Sequence, residues 1–496
     1  MATLEGGMCP NSGADSHRDA GDLAVVPSPD GSLADSPADG PLGAEGSGDS
    51  AGNVCAGAQA VFDPSGGVDF ADLSECGLTT FVLSVPEPSA GDGGDAAALD
   101  LTDTLFNVDT GEVTCAGTTV RLPTTSPPGV PDVKGGIAYR LTAGGLAIFA
   151  FESLVVPQGA SLKLIGSYPV ALVSATTMQI DGVVDVRPMS PDGLTICAPA
   201  PPAAQNDDFV QPAGPAAPGG GAGGAGGYND HYAAYPATAG TGPNGISGGA
   251  ASSDLDVLTA GSGGGHAGAG GGSSANADAS VVTGGPSYDQ QPLDAANFHG
   301  GAGGGGGAGG VFAYGGPGGG GGGAVRLVAA QAIDIGEAST VGGVDASGCS
   351  GGDGVRADGV SAPGGGGAGG AIVIESPVVT LGSQAFLLAA GGGGGVSDGS
   401  ETVAPSPSVS LADELADVGS GMPGCGFPSV FGNGSTLTLL DGQTGYADPV
   451  GCGGGGAAGW IRINSDGQHL VMEPSAIVSP NAAPAFFSAG VIAFRP

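Results

Sequence analysis

From about residue 136 onward, hydrophobic and polar positions alternate in short runs. Ala324-Val325-Arg326-Leu327-Val328, Ala371-Ile372-Val373-Ile374-Glu375 and Trp460-Ile461-Arg462-Ile463-Asn464 each follow a glycine run. Each alternates over a few positions, as a strand with one buried face does. A second strand is predicted after the first two, at Ile333-Asp334-Ile335 and Val379-Thr380-Leu381, and a third around 341–344 and 386–388. Earlier in the chain, Ile148-Phe149-Ala150-Phe151 precedes Leu162-Lys163-Leu164. Val170–Val173 precedes Met178-Gln179-Ile180 and then Val183–Val186. Three short strands per repeat predict an all-β fold, a right-handed parallel β-helix (solenoid) whose repeats bury their inner residues only by stacking. Leu162/Leu164, Met178/Ile180, Ile333/Ile335 and Val379/Leu381 form the expected inward set. Lys163, Gln179, Asp334 and Thr380 form the expected outward column.

Long glycine-rich insertions at 188–323, 347–370 and 391–459 interrupt this pattern. They leave after the third strand of a repeat and return before the first, so they are expected to stack on one flank. Uninterrupted glycine backbones there can pack as extended, polyglycine-II-like rods decorating the column. Glycine supplies 105 and proline 38 of 496 residues, a level typical of structureless chains. Yet 40% of residues are hydrophobic, which is too apolar for disorder throughout. The chain therefore divides into an acidic disordered tether (1–54), a small Cys-containing β subdomain (55–135), and the solenoid with its insertions (136–496).

Charge narrows the range of partners. Acids outnumber bases 48 to 10, for a net charge of −38, so phosphate backbones and anionic membranes repel the chain. Eight cysteines are widely spread with no C-x-x-C pair, a usage that suits disulfides in an oxidising compartment. Cys55, Cys76, Cys115, Cys425 and Cys452 are the disulfide candidates by proximity. No membrane-spanning apolar run and no export signal occur in the sequence; the expectation is that such a signal lies upstream of Met1.

Catalytic motifs are lacking. Gly48-Asp49-Ser50-Ala51-Gly52 fits G-x-S-x-G but lies in the tether, without the strand-to-helix turn that motif needs. No cofactor, metal site or catalytic residue is predicted; Asp-rich turns offer only weak Ca2+ binding. The chemically uneven stretch is Tyr228-Asn229-Asp230-His231-Tyr232-Ala233-Ala234-Tyr235. Aromatic faces with polar tips suit sugar or protein contacts, so Tyr228, His231, Tyr232 and Tyr235 are the candidate ligand-binding residues. The competing role for them is to anchor a long loop. His231, His266 and His299 are too widely spaced to predict a metal site.

The alternation of glycine runs with the segments at 324–329, 370–377 and 459–464 resembles glycine-rich exported proteins of social soil bacteria, often labelled PE-PGRS-like. Gly135-Gly136-Ile137-Ala138-Tyr139-Arg140-Leu141 and the Asp/Pro-rich tether resemble them too. The resemblance spans most of residues 55–490. It implies an extracellular or cell-surface β-solenoid and supplies no catalytic residues. The resulting expectation is a non-catalytic surface or matrix protein with an adhesive or envelope role and glycan or matrix-protein partners. The alternative is a carbohydrate-active β-helix enzyme, a polysaccharide lyase or glycoside hydrolase, which would need paired carboxylates in a groove.

Overall fold

The computed structural model describes residues 77–83, 103–190, 212–229, 234–243, 248, 259–273, 282–288, 298–310, 313–337, 340–356, 361–395, 453–466, 469–480 and 487–491, together with a two-stranded ribbon, Phe62–Asp63 with Gly67–Val68. The expected tether and the candidate residues His231, Tyr232, Cys55, Cys76, Cys425 and Cys452 lie outside the described residues. The fold is all-β, with no helix among the described residues.

Short strands recur in threes, and each member of a triplet joins a different sheet. Val170–Ser174, Thr177–Ile180 and Val183–Asp185 pair in parallel with Ala324–Ala329, Ala332–Ile335 and Gly342–Asp345 respectively. Those pair in turn with Ala371–Glu375, Val378–Leu381 and Ala385–Leu388. Trp460–Ser465, Leu470–Met472 and Ile477–Ser479 follow in the same order. Two eight-stranded sheets and one six-stranded sheet result, termed first, third and second after their strand in each triplet.

Register keeps like residues in rows. Phe149, Leu172, Leu327, Ile374 and Ile463 form one inward row of the first sheet. Phe81, Leu154, Met178, Ile333, Val379 and Leu470 form one in the second. Leu162, Val184, Val344, Leu387 and Val478 form one in the third. Residues of all three sheets share one contiguous apolar core, and Ile335 and Leu381 are buried in it at 1% and 0% exposure. At its N-terminal end Phe81, Phe106, Phe149 and Phe151 pack ring against ring at 5.0–6.0 Å. Removing one such ring costs ~3–5 kcal/mol in comparable cores.

The expected outward column needs correction. Gln179, Asp334 and Thr380 do stack in the second sheet, but Lys163 belongs to the third, where it pairs with Leu105 and Asp185. The column begins instead at Val82, continues through Val155 and ends at Val471, so it is not uniformly polar. The strand Ser153–Val156 escaped the alternation pattern because Glu152 alone separates it from Ala147–Phe151.

Antiparallel hairpins end the stack on its N-terminal side. Val113–Cys115 and Thr118–Arg121 extend the third sheet beyond Thr104–Asn107; Asp132–Lys134 and Ile137–Leu141 extend the first. The expected boundary at 135/136 thus falls in the turn of a hairpin, and strands from both sides of it share sheets. Arg121, fully buried, ties the two hairpins together. Its guanidinium donates to the carbonyls of Gly111, Ile137 (3.2 Å) and Asp132 (2.9 Å), and its carbon lies 5.2 Å from the centre of the Tyr139 ring. Burial lowers its affinity for the proton, and the Asp132 carboxylate at 3.4 Å opposes that shift.

The glycine tracts are a second buried layer rather than decoration. Gly301, Gly304 and Gly307 donate to the carbonyls of Gly322, Gly319 and Gly316. Ala302, Gly305 and Ala308 donate to Gly265, Ser262 and Thr259, while Gly303 and Gly306 donate to Thr241 and Thr238. The same tract accepts from Gly221, Gly224 and Gly227 on one side and from Ala368, Gly365 and Ala362 on another. Partners change with every residue and repeat every third, the period of an extended polyproline-II-type helix. Rods so close leave no room for side chains: a Cβ on Gly304 would lie 2.2 Å from the Gly365 carbonyl oxygen. Alanines occur where the lattice opens, as at the buried trio Ala260, Ala308 and Ala362, or on its outer surface, as at half-exposed Ala222 and Ala225. The tract 315–323 runs directly into Ala324–Ala329, 361–370 into Ala371–Glu375, and 453–459 into Trp460–Ser465, so the two layers are covalently continuous.

Candidate ligand-binding site

Tyr228–Asn229, Ala234–Tyr235, Ala313–Tyr314 and Val355–Arg356 form a small antiparallel sheet where the glycine rods end. Antiparallel pairing sets Tyr235, Tyr228 and Tyr314 directly across from one another in one row. The Tyr228 and Tyr314 rings stack at 4.4 Å and 23°, and Tyr235 lies 6.4 Å from Tyr228. Tyr228, the middle ring, is buried; Tyr235 and Tyr314 are half-buried. Two of the four residues singled out in the sequence are therefore brought together, and Tyr314, 79 positions beyond Tyr235, completes the row. Tyr314 lies in the same tyrosine-rich insertion, but spacing gave no sign that it joins the row; the signal was the glycine tract that follows it, which returns the chain beside Gly227.

His266 and Tyr288 lie elsewhere. Their rings face each other at 4.8 Å inside the glycine layer, with the Tyr288 hydroxyl donating to the Gly300 carbonyl at 2.6 Å.

Two charged clusters lie on the sheets. On the outer face of the first sheet Arg326 is ion-paired with Glu375. Asn464 donates to the other Glu375 oxygen at 3.0 Å, and Arg462 donates to Asn464 at 3.0 Å. In the third sheet Asp185 and Asp345 are register neighbours, and Arg187 reaches both, at 2.8 and 3.2 Å. These two carboxylates are nearly sealed, at 3% and 1% side-chain exposure, and a guanidinium occupies the place between them. An inverting or retaining hydrolase pair instead faces an open groove.

Among the described residues no group of three His, Cys, Asp or Glu side chains is placed to hold a metal ion. Likewise no helix among them is long and apolar enough to cross a membrane. Cys115, expected to be in a disulfide, is disulfide-bonded; so is Cys349, which proximity in sequence had not singled out. Cys349 sits within a glycine rod, its carbonyl accepting from Gly367 at 2.8 Å. Searches of protein-family models, curated proteins and solved structures find no match to this chain.

Proposed function

We propose that the triplet repeats form a right-handed parallel β-solenoid and that the protein is a non-catalytic, exported surface or matrix component with an adhesive role. The tyrosine row carries this reading. Three phenols, set in register by backbone pairing at the end of a side-chain-free layer, make a preorganised aromatic surface. Aromatic surfaces with polar tips recognise sugar rings and protein side chains at low ordering cost. The cysteines joined in disulfides agree with an oxidising compartment, and the direct run of the tracts 315–323, 361–370 and 453–459 into strands suits a stiff presenter. The partner on this reading is a cell-surface glycan or a matrix protein.

A glycan array probed with the full chain and with Tyr235→Ala and Tyr314→Ala tests it. The expected result is binding to a defined glycan set, weakened about tenfold or more by either substitution, as loss of an aromatic anchor worth ~1.5–2 kcal/mol implies. Binding unaffected by both substitutions removes the tyrosine row from the reading. Catalytic turnover of an arrayed polysaccharide overturns the non-catalytic role.

A further inference from the structure

His266 is the one fully buried histidine among the described residues. Its Nδ1 lies 2.7 Å from the Gly369 carbonyl oxygen. A carbonyl only accepts, so Nδ1 carries the proton and Nε2 keeps a bare lone pair. That Nε2 is buried with no hydrogen-bond partner. The residue is clamped from several directions. Its backbone carbonyl accepts from Tyr288 N at 2.7 Å, the Ala267 amide donates to Ala458, and the Gly264 amide donates to Gly366.

The elements packed around the ring offer a cation no counter-ion. Segments 366–370 and 455–458 are glycine and alanine only. Segment 285–288 contributes Tyr288, a neutral phenol, and segment 298–303 contributes His299, whose charge opposes another. None of these described segments carries a carboxylate. A second proton on Nε2 would therefore be a buried, unpaired charge, which proteins avoid by opening or by refusing the proton.

We infer that His266 is an acid-operated latch, holding residues 259–273 and 282–288 in the glycine layer while neutral and releasing them when protonated. The direction follows from linkage. Burial lowers the folded-state value to about 4 against the ordinary 6.5, while the carbonyls of Gly369 and Gly370 oppose the shift. Between those values the released segment binds the proton and the docked one does not. Docking is therefore at full strength above 6.5, weakens as pH falls, and weakens no further below about 4.

Amide hydrogen exchange on the full chain between pH 6.5 and 5.0, corrected for intrinsic chemistry, reads this out. The Gly264, Ala267 and Tyr288 amides should open up to about tenfold more per pH unit lost, while those of Ile461 and Ile463 stay constant. In His266→Asn, whose carboxamide can donate to Gly369 but does not titrate, the profile should be flat. A flat wild-type profile, or a sloped H266N profile, overturns the latch. If H266N does not fold, His299→Gln decides: a slope that survives leaves His266 as its source, and one that vanishes transfers the titration to His299 and ends the proposal.

Discussion

At the scale of single residues the molecule follows two opposite rules. In the sheets a glycine makes room for one neighbour: Gly343 leaves space for Phe386, whose carbonyl oxygen a Cβ would meet at 2.1 Å and whose ring at 2.6 Å. At Gly336, φ is +60°, and the turn out of Ala332–Ile335 demands a residue without Cβ strain. In the rods, by contrast, glycine is required because backbone meets backbone on every side. Gly304→Ala should cost at least ~2–3 kcal/mol, since neither the Gly365 carbonyl nor its hydrogen bonds can move independently. Ala225→Ser, on the outer surface, should stay within about 0.5 kcal/mol. Urea titration followed by tyrosine fluorescence compares the two; equal midpoints would mean that the rods are loosely packed.

Elements show how far sequence patterning reaches. Triplet strands were legible wherever glycine or a turn isolated them, because alternation over four residues then has clear ends, as in Ala332–Ile335 and Val378–Leu381. Ser153–Val156 was hidden because its corner is a single residue, and Leu470–Met472 because its side chains are half-buried or exposed. At the candidate site the local pair Tyr228 and Tyr235 was legible, and the long-range Tyr314 was not, since only rod packing sets its register. In the N-terminal hairpins Thr118–Arg121 reads as a strand from its sequence, but its pairing was opaque. These hairpins are organised by Arg121, and an arginine in a strand pattern reads as solvent-facing. Arg121→Met keeps the stem and removes the donors to Gly111, Leu122, Ile137 and Asp132. Four carbonyls losing their donor should cost about 3 kcal/mol or more. Exchange of the Ile137–Leu141 amides should accelerate while Ala371–Glu375 remains protected, and uniform protection would show that the hairpins hold without the guanidinium.

The whole molecule pairs two layers stabilised by different forces. The sheet core buries Leu, Ile, Val and Phe, so its cohesion is hydrophobic. The rod layer buries almost nothing but peptide groups, and glycine gives up more chain freedom on ordering than any other residue. Hydrogen bonds alone return only ~0.5–1.5 kcal/mol each, so the rods depend on the strands that anchor them. That division has a thermal consequence. Exposing apolar surface raises heat capacity on unfolding, whereas exposing polar surface lowers it. Calorimetry should therefore give a heat-capacity increment per residue clearly below the usual ~12–15 cal/mol/K, and an ordinary value would contradict the peptide-dominated layer. Cold, which weakens oily contacts, should therefore act on the apolar sheets first and reach the glycine lattice only through the loss of those anchors.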